Sequence, residues 1–347
     1  MRKNCYNSLM LELIMPVFFT MMQIFFFLSI GFFLRKFSKF PDSFFSSLGK
    51  LVVQVTVPLY FIARMAQTDL AALIRAIRFP LLSLGVFSIA TFLGWALFSI
   101  SKEKSETKSI GIAMSGIGNA GYLPISIVEL MPASLPIITS IFNTELALFY
   151  IGAFLFFYSP LLWTFGQIYM KGGSLKGIRK GIISPPMIGI IIGVLLAATG
   201  IGNWFTMPGN ILGAIFPAIQ RIGDMTIPLV LIVLGSMAGG LVINRNNLKE
   251  LLLMTCRVSF IRFLIMPAIF FLFMFFWRSD IWTPTEQWVV FLQFTTPPAT
   301  NLSIMASDSR VRQDLVPFVL IVTYIIFLLV FPIYLTLFFH AFDIAIV

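Results

Sequence analysis

Long apolar runs alternate with short polar stretches along the whole chain, and ten of these runs are long enough to cross a bilayer. The first covers about residues 15–34 and ends at Arg35, Lys36 and Lys39, with Met10 and Met15 as alternative starts of the protein. Runs at about 45–65 and 79–100 follow, separated by a segment that carries Arg75 and Arg78. The fourth, about 109–130, comes after the charged loop 102–108, and a fifth, opened by a connection with Pro132 and Pro136, ends near residue 170. The remaining five lie at about 184–199, within 211–242, and at about 251–277, 287–307 and 315–340.

Two of the ten break the pattern from inside. The fourth contains Gly116-Ile117-Gly118-Asn119-Ala120-Gly121-Tyr122-Leu123-Pro124, and the ninth contains Thr296-Pro297-Pro298-Ala299-Thr300-Asn301. A proline inside a helix removes a backbone donor and clashes with the preceding turn, at a cost of about 3 kcal/mol. In hydrocarbon the freed backbone groups find no water, so such an interruption survives only against protein or a wet cavity. Paired interruptions at corresponding places in two halves of a membrane protein point to a carrier's binding site.

Composition agrees with a polytopic all-α membrane protein: of 347 residues, 59% are hydrophobic and 11% charged, with a mean hydropathy of +0.96. The net charge of +10 is read as basic cytoplasmic loops rather than as a nucleic-acid surface. Most Lys and Arg outside the spans fall into the loops that are inside when the N-terminus is outside, so both termini are expected outside the cytoplasm. Gly172, Gly173, Lys171, Lys176, Arg179 and Lys180 make the segment 171–183 a basic linker. It divides the spans five and five, into repeats at 15–170 and 184–340. An odd number per half inverts the second repeat, and Pro58 with Pro228, and Pro124 with Pro298, are its matching landmarks. Cys5 and Cys256 form no framework, and His340 is a lone histidine near the C-terminus. Metal sites, cofactors and histidine-based catalysis are therefore not expected, and the chain is not read as an enzyme.

Four motifs, in this order and spacing, resemble the auxin efflux carrier superfamily. They are Gly118-Asn119-Ala120-Gly121-Tyr122-Leu123-Pro124, Ser184-Pro185-Pro186-Met187-Ile188-Gly189, Gly223-Asp224-Met225-Thr226-Ile227-Pro228, and Pro297-Pro298-Ala299-Thr300-Asn301. The wording of the fourth and seventh spans is closer to the PIN-like branch than to carriers with a large central loop. The resemblance implies an inverted five-plus-five fold like that of sodium/proton antiporters and bile-acid symporters. Spans 1, 2, 6 and 7 would form a scaffold, and spans 3–5 and 8–10 a moving transport domain. The broken spans 4 and 9 would cross at a substrate carboxylate, and homodimers through the scaffold are implied as well. A bacterial inner membrane is the default location, with the endoplasmic reticulum membrane as the alternative.

The expected site is built from Gly118, Asn119, Gly121, Tyr122, Pro124, Pro297, Pro298 and Asn301. Neither break contains Lys or Arg, so an anion there is expected to rest on half-helix N-termini and on the Asn119 and Asn301 amides. Asn119 has a second reading as an interhelical hydrogen bond, and Tyr122 has one as a packing residue. The glycines and prolines set the shape of the backbone. Asp224 and Glu145 are the candidates for ion coupling, with an ordinary Arg221–Asp224 helix pair as the alternative for Asp224. The function expected is a secondary carrier moving a small organic anion, an auxin-like acid or a mono- or dicarboxylate, by elevator-type alternating access. The alternatives are a sodium-coupled bile-acid-type symporter and a membrane sensor.

Overall fold

The computed structural model describes residues 2–136, 138–170, 184–207, 209–241, 247–276, 282–309, 311–312 and 314–342. Side chains are described from Phe18 onward, apart from Asp42, Leu70, Thr206, Ser307 and Asp308. The basic linker 171–183, together with Arg245, Arg278 and Arg310, lies outside these residues.

The first half comprises α1 (Arg2–Phe37), α2 (Asp42–Leu51), a π-helical turn (Val52–Thr56), α3 (Val57–Met65), α4 (Leu70–Ala76) and α5 (Arg78–Ser99). It continues with α6 (Ser105–Gly116), α7 (Tyr122–Ser134), α8 (Ile138–Ile141) and α9 (Thr144–Met170). The second half has α10 (Pro185–Ala198), a 3₁₀ turn (Ile201–Thr206), α11 (Ile211–Asp224), α12 (Thr226–Gly239) and α13 (Leu248–Phe260). A π-helical turn (Ile261–Ile265), α14 (Met266–Phe276), α15 (Pro284–Thr295), α16 (Asn301–Ser309) and α17 (Leu315–Ala341) complete it.

Seven stretches of these helices are long and apolar enough to cross a membrane, and Pro185–Ala198 is a shorter apolar helix. The two remaining crossings are the broken ones, α6–α7 and α15–α16. The protein is an all-α polytopic membrane protein, as the hydropathy pattern predicts. Helix starts follow the chemistry of their first residues. Asp69 caps α4, Asn210 caps α11, and Thr283 and Glu286 form a reciprocal capping box at α15.

Packing is closest between α1 and α12. A Cβ on Gly235 would lie 1.8 Å from the Leu28 carbonyl oxygen, and one on Gly31 would lie 1.9 Å from that of Ile232. Only glycine lets the two backbones meet this closely. Among the seven long unbroken spans α9 is the most enclosed, with 61% of its apolar window buried against 22% for α1.

The structure departs from the sequence reading in local detail. Helix α7 continues through Pro132 to Ser134, and the seventh span is two helices joined at Met225. Spans two and eight each contain a π turn, and each turn is followed by a proline, Pro58 or Pro267. Pro267 has no N–H for the carbonyl four residues back, which belongs to Phe263. That carbonyl accepts a hydrogen bond from the Tyr334 hydroxyl instead. The widened turn is thus stabilised from outside its own helix.

Candidate functional site

The interruptions occupy residues 117–121 and 296–300, equal lengths of non-helical chain that meet side by side. Gly118 and Pro298 form an antiparallel β-bridge. The Asn119 N–H donates to the Pro297 carbonyl at 2.8 Å, and the Ala299 N–H donates to the Ile117 carbonyl at 2.9 Å. Gln293 adds a third tie, donating from Nε2 to the Ala120 carbonyl at 3.1 Å. Each break therefore satisfies backbone groups of the other, which is how irregular chain persists inside a membrane protein.

This register corrects one sequence landmark. Pro298 lies inside the second break opposite Gly118, whereas Pro124 lies in the first turn of α7. Counted from the breaks, Pro124 matches Ser303, because proline is tolerated in a first helical turn and need not mark the interruption itself. Pro58 and Pro228 do sit alike, each close to the start of a helix, α3 or α12.

A cavity of about 50 Å³ opens against the crossing and is lined by Gly118, Asn119, Gly121, Tyr122 and Asn301, among others. Tyr122 begins α7 and Asn301 begins α16, and the two line the same cavity. Gly121 precedes α7 without any side-chain cap, and both it and Tyr122 at the helix start line the cavity. Asn119 is buried, and its Nδ2 donates to the Tyr324 hydroxyl on α17. It lines the cavity and ties two spans together at once. Pro297 and Pro298 contribute backbone, and Pro124 packs behind it.

The residue that the sequence reading missed is Arg262. It is fully buried in the π turn of the eighth span, and its guanidinium reaches the first break at Gly118. An ideal Cβ on Gly118 would stand 2.5 Å from Arg262 Nη1 and 2.8 Å from Thr296 Oγ1. The guanidinium and the Thr296 hydroxyl thus occupy the space that a side chain at 118 would fill, and either would have to shift to admit one. Arg262 lies beside Tyr158, whose hydroxyl accepts from the Gly118 N–H at 2.6 Å and donates to the Gly118 carbonyl at 3.2 Å. A cation thus stands beside the crossing although neither break contains one. The charge comes from a different span, and searching the breaks alone does not find it. One signal was available: Arg262 is equidistant from Leu248 and Phe276, too deep in its span to reach water by extension.

The two coupling candidates are elsewhere. Glu145 and Asp224 gather around Arg64 of α3, at 3.0 and 3.4 Å, with side chains 67% and 57% exposed. Asp224 meets Arg64 rather than Arg221, because α3 packs along α11 and presents its guanidinium there. A third carboxylate, Glu129 of α7, joins at 2.9 Å and accepts from the Tyr60 hydroxyl at 2.6 Å. At 19% exposed it is the most enclosed of the three. The sequence reading ended the fourth span at Leu130, which hid Glu129 as a span-end residue.

A different cavity, about 370 Å³, lies among Arg35, Phe45, Ser46, Gly49, Ser303 and Ile304. A narrow space of about 20 Å³ that shares Gly49 and Ile304 with it also touches Tyr122, Thr300 and Asn301. The crossing is therefore neighboured by internal space on the side of α2 and α12.

Broken helices bridged across a small internal cavity define a transport-type membrane protein rather than a soluble binding module. The chain belongs to the membrane transport protein family, the auxin efflux carrier family, whose model matches residues 16–172 and 173–335. Among its relatives is Protein PIN-LIKES 5 of Arabidopsis thaliana, 24% identical over 365 aligned positions, covering 87% of this chain and 91% of that protein. Protein PIN-LIKES 7 of the same plant is 26% identical over 181 positions, covering 50% of this chain and 44% of that protein. The resemblance to the PIN-like branch read from the sequence motifs is borne out. The protein is a multi-pass integral membrane transporter.

Proposed function

We propose that the protein is a secondary carrier for a small organic anion, held at the crossing of its two broken spans. The observation that carries this reading is the convergence of an uncapped helix start and two asparagines on one cavity, with a buried guanidinium behind its wall at Gly118. Such a place offers N–H donors and positive charge in a low-dielectric setting, which suits a carboxylate. An auxin-like acid or a mono- or dicarboxylate is the substrate class.

In this reading the chain is two inverted five-span repeats, with spans 1, 2, 6 and 7 as scaffold and the other six as the moving domain. The bridged crossing would travel with the moving domain, in elevator-type alternating access. Homodimers would form through the scaffold, in a bacterial inner membrane or the endoplasmic reticulum membrane, with both termini outside the cytoplasm.

Purified protein in liposomes, challenged with a panel of carboxylates under sodium, proton or no gradient, tests the reading. Counterflow of at least one carboxylate is expected. Complete absence of flux across the panel defeats the carrier assignment, and strict sodium dependence turns it into a symporter. Asn119→Ala should abolish flux while leaving the protein monodisperse in detergent. Unchanged uptake in that variant removes the site from the fourth span.

A further inference from the structure

Four half-helix ends meet at the crossing. Helices α7 and α16 present N-termini there, while α6 and α15 present C-termini. Their partial charges, about +0.5 and −0.5 each, cancel to first order. Helix dipoles therefore give the crossing direction but no net charge. Arg262 supplies a full charge at the crossing, against Gly118 of the first break.

That charge lacks compensation inside the protein. Arg262 is 0% exposed, and its Nε and Nη2 have no hydrogen-bond partner among the described residues. None of the ion pairs among those residues involves it. Buried cations are ordinarily paired, because removal from water is costly and a counter-charge must offset it. Gly118 both borders Arg262 and lines the cavity, so an anion bound there would supply the missing counter-charge across that residue. Tyr158 connects the two, since its hydroxyl bonds Gly118 beside Arg262 and the residue lines the cavity.

We propose that Arg262 is the fixed counter-charge of the transport site and limits the substrate to a single negative charge. It is a positioning residue that acts through Gly118 and Tyr158 from behind the cavity wall. The carrier then crosses the membrane with a neutral loaded site and returns with one uncompensated positive charge. A dicarboxylate brings a second charge that nothing at the crossing balances, and a neutral amide leaves Arg262 uncompensated. The inference rests on the carrier reading above and narrows its substrate class to monoanions.

The test is counterflow in liposomes with a matched set: a monocarboxylate taken from the panel, its amide, and the same skeleton with a second carboxylate. It is run on the wild type, Arg262→Lys and Arg262→Gln. The wild type should favour the monocarboxylate over both others by roughly tenfold or more. Arg262→Lys should keep that order at a reduced rate. Arg262→Gln should lower the acid-to-amide ratio by about 30-fold or more, a change that a merely bracing role would not produce. An unchanged ratio in a well-folded Arg262→Gln protein overturns the proposal, as does wild-type uptake that is indifferent to charge. If Arg262→Gln does not fold, the wild-type charge series and its retention in Arg262→Lys decide the matter. Failure of the wild type to move any compound defeats the carrier reading itself, and that outcome is distinct from an altered ratio.

Discussion

Two arginines gather carboxylates at separate places in the molecule, and they do so across different boundaries. Arg64 on α3 meets Glu129 of α7, Glu145 of α9 and Asp224 of α11. Arg312, just before α17, meets Glu250 of α13 at 2.7 Å and Asp314 at 3.0 Å, with Thr107 of α6 bonded to the same Glu250. In the proposed carrier, the first cluster joins scaffold to moving domain, and the second lies wholly within the moving domain. Similar chemistry thus has opposite duties. Contacts across the seam must break in every cycle, while contacts within the moving body must survive it.

The difference is testable from its strongest consequence downward. Arg64→Gln removes the one cation shared by three carboxylates and leaves Glu129 half-enclosed without it. Truncating one partner of such a pair costs about 2–5 kcal/mol, so the arrangement closed at Arg64 should lose population. Ala63→Cys, buried beside Arg64 and introduced with Cys5 and Cys256 replaced by Ser, reports this. Its labelling by an impermeant maleimide should be about tenfold or more faster in the Arg64→Gln protein. Equal labelling would show that the cluster does not clasp the two bodies.

Arg312→Gln should act on stability instead. Its pairs are partly exposed and partly screened, so a loss of about 1–2 kcal/mol and a fall of a few degrees in melting temperature are expected. Transport per folded molecule should stay within about twofold. A large rate defect without a melting change would move Arg312 from internal brace to moving part.

The smallest effect concerns acidity. Partial burial opposes ionisation of Asp314, but the hydrogen bond and charge of Arg312 outweigh it, and the carboxyl is held below the ordinary aspartate range. A depressed folded value means that its stabilisation is fully present above the unfolded pKa, about 3.9, and is lost as pH falls through the lower folded value. Asp314→Asn should therefore lower the melting temperature slightly between pH 5 and pH 7. The gap between variant and wild type should close as pH is taken below about 4. A gap that persists in acid would mean that the aspartate acts through geometry rather than charge.

The breaks were readable in the sequence because Gly118, Gly121, Pro297 and Pro298 are costly in a helix whatever surrounds them. Their meeting was readable only as an implication of family resemblance, since a β-bridge of two hydrogen bonds leaves no pattern in a chain. Arg262 and Glu129 were missed for one physical reason. The depth of a charge in an apolar run tells whether it can reach water, but which partner it meets inside is decided by the packing of other spans. Pro267 was a usable clue. A proline in mid-span frees the carbonyl four residues earlier, and the π turn at that place is what carries Arg262 beside Gly118.

The β-bridge between Gly118 and Pro298 has a consequence for thermodynamics. Two crossing chains joined by mutual backbone hydrogen bonds do not shear past each other without losing both bonds inside the protein. The backbone share of a bound anion's coordination, supplied by the two breaks, would then be the same whichever compartment it faces. Any difference in affinity between the two sides would come from the scaffold side chains that line the cavity, such as Tyr60 and Phe61. Net direction of flow would be set by concentrations and membrane voltage.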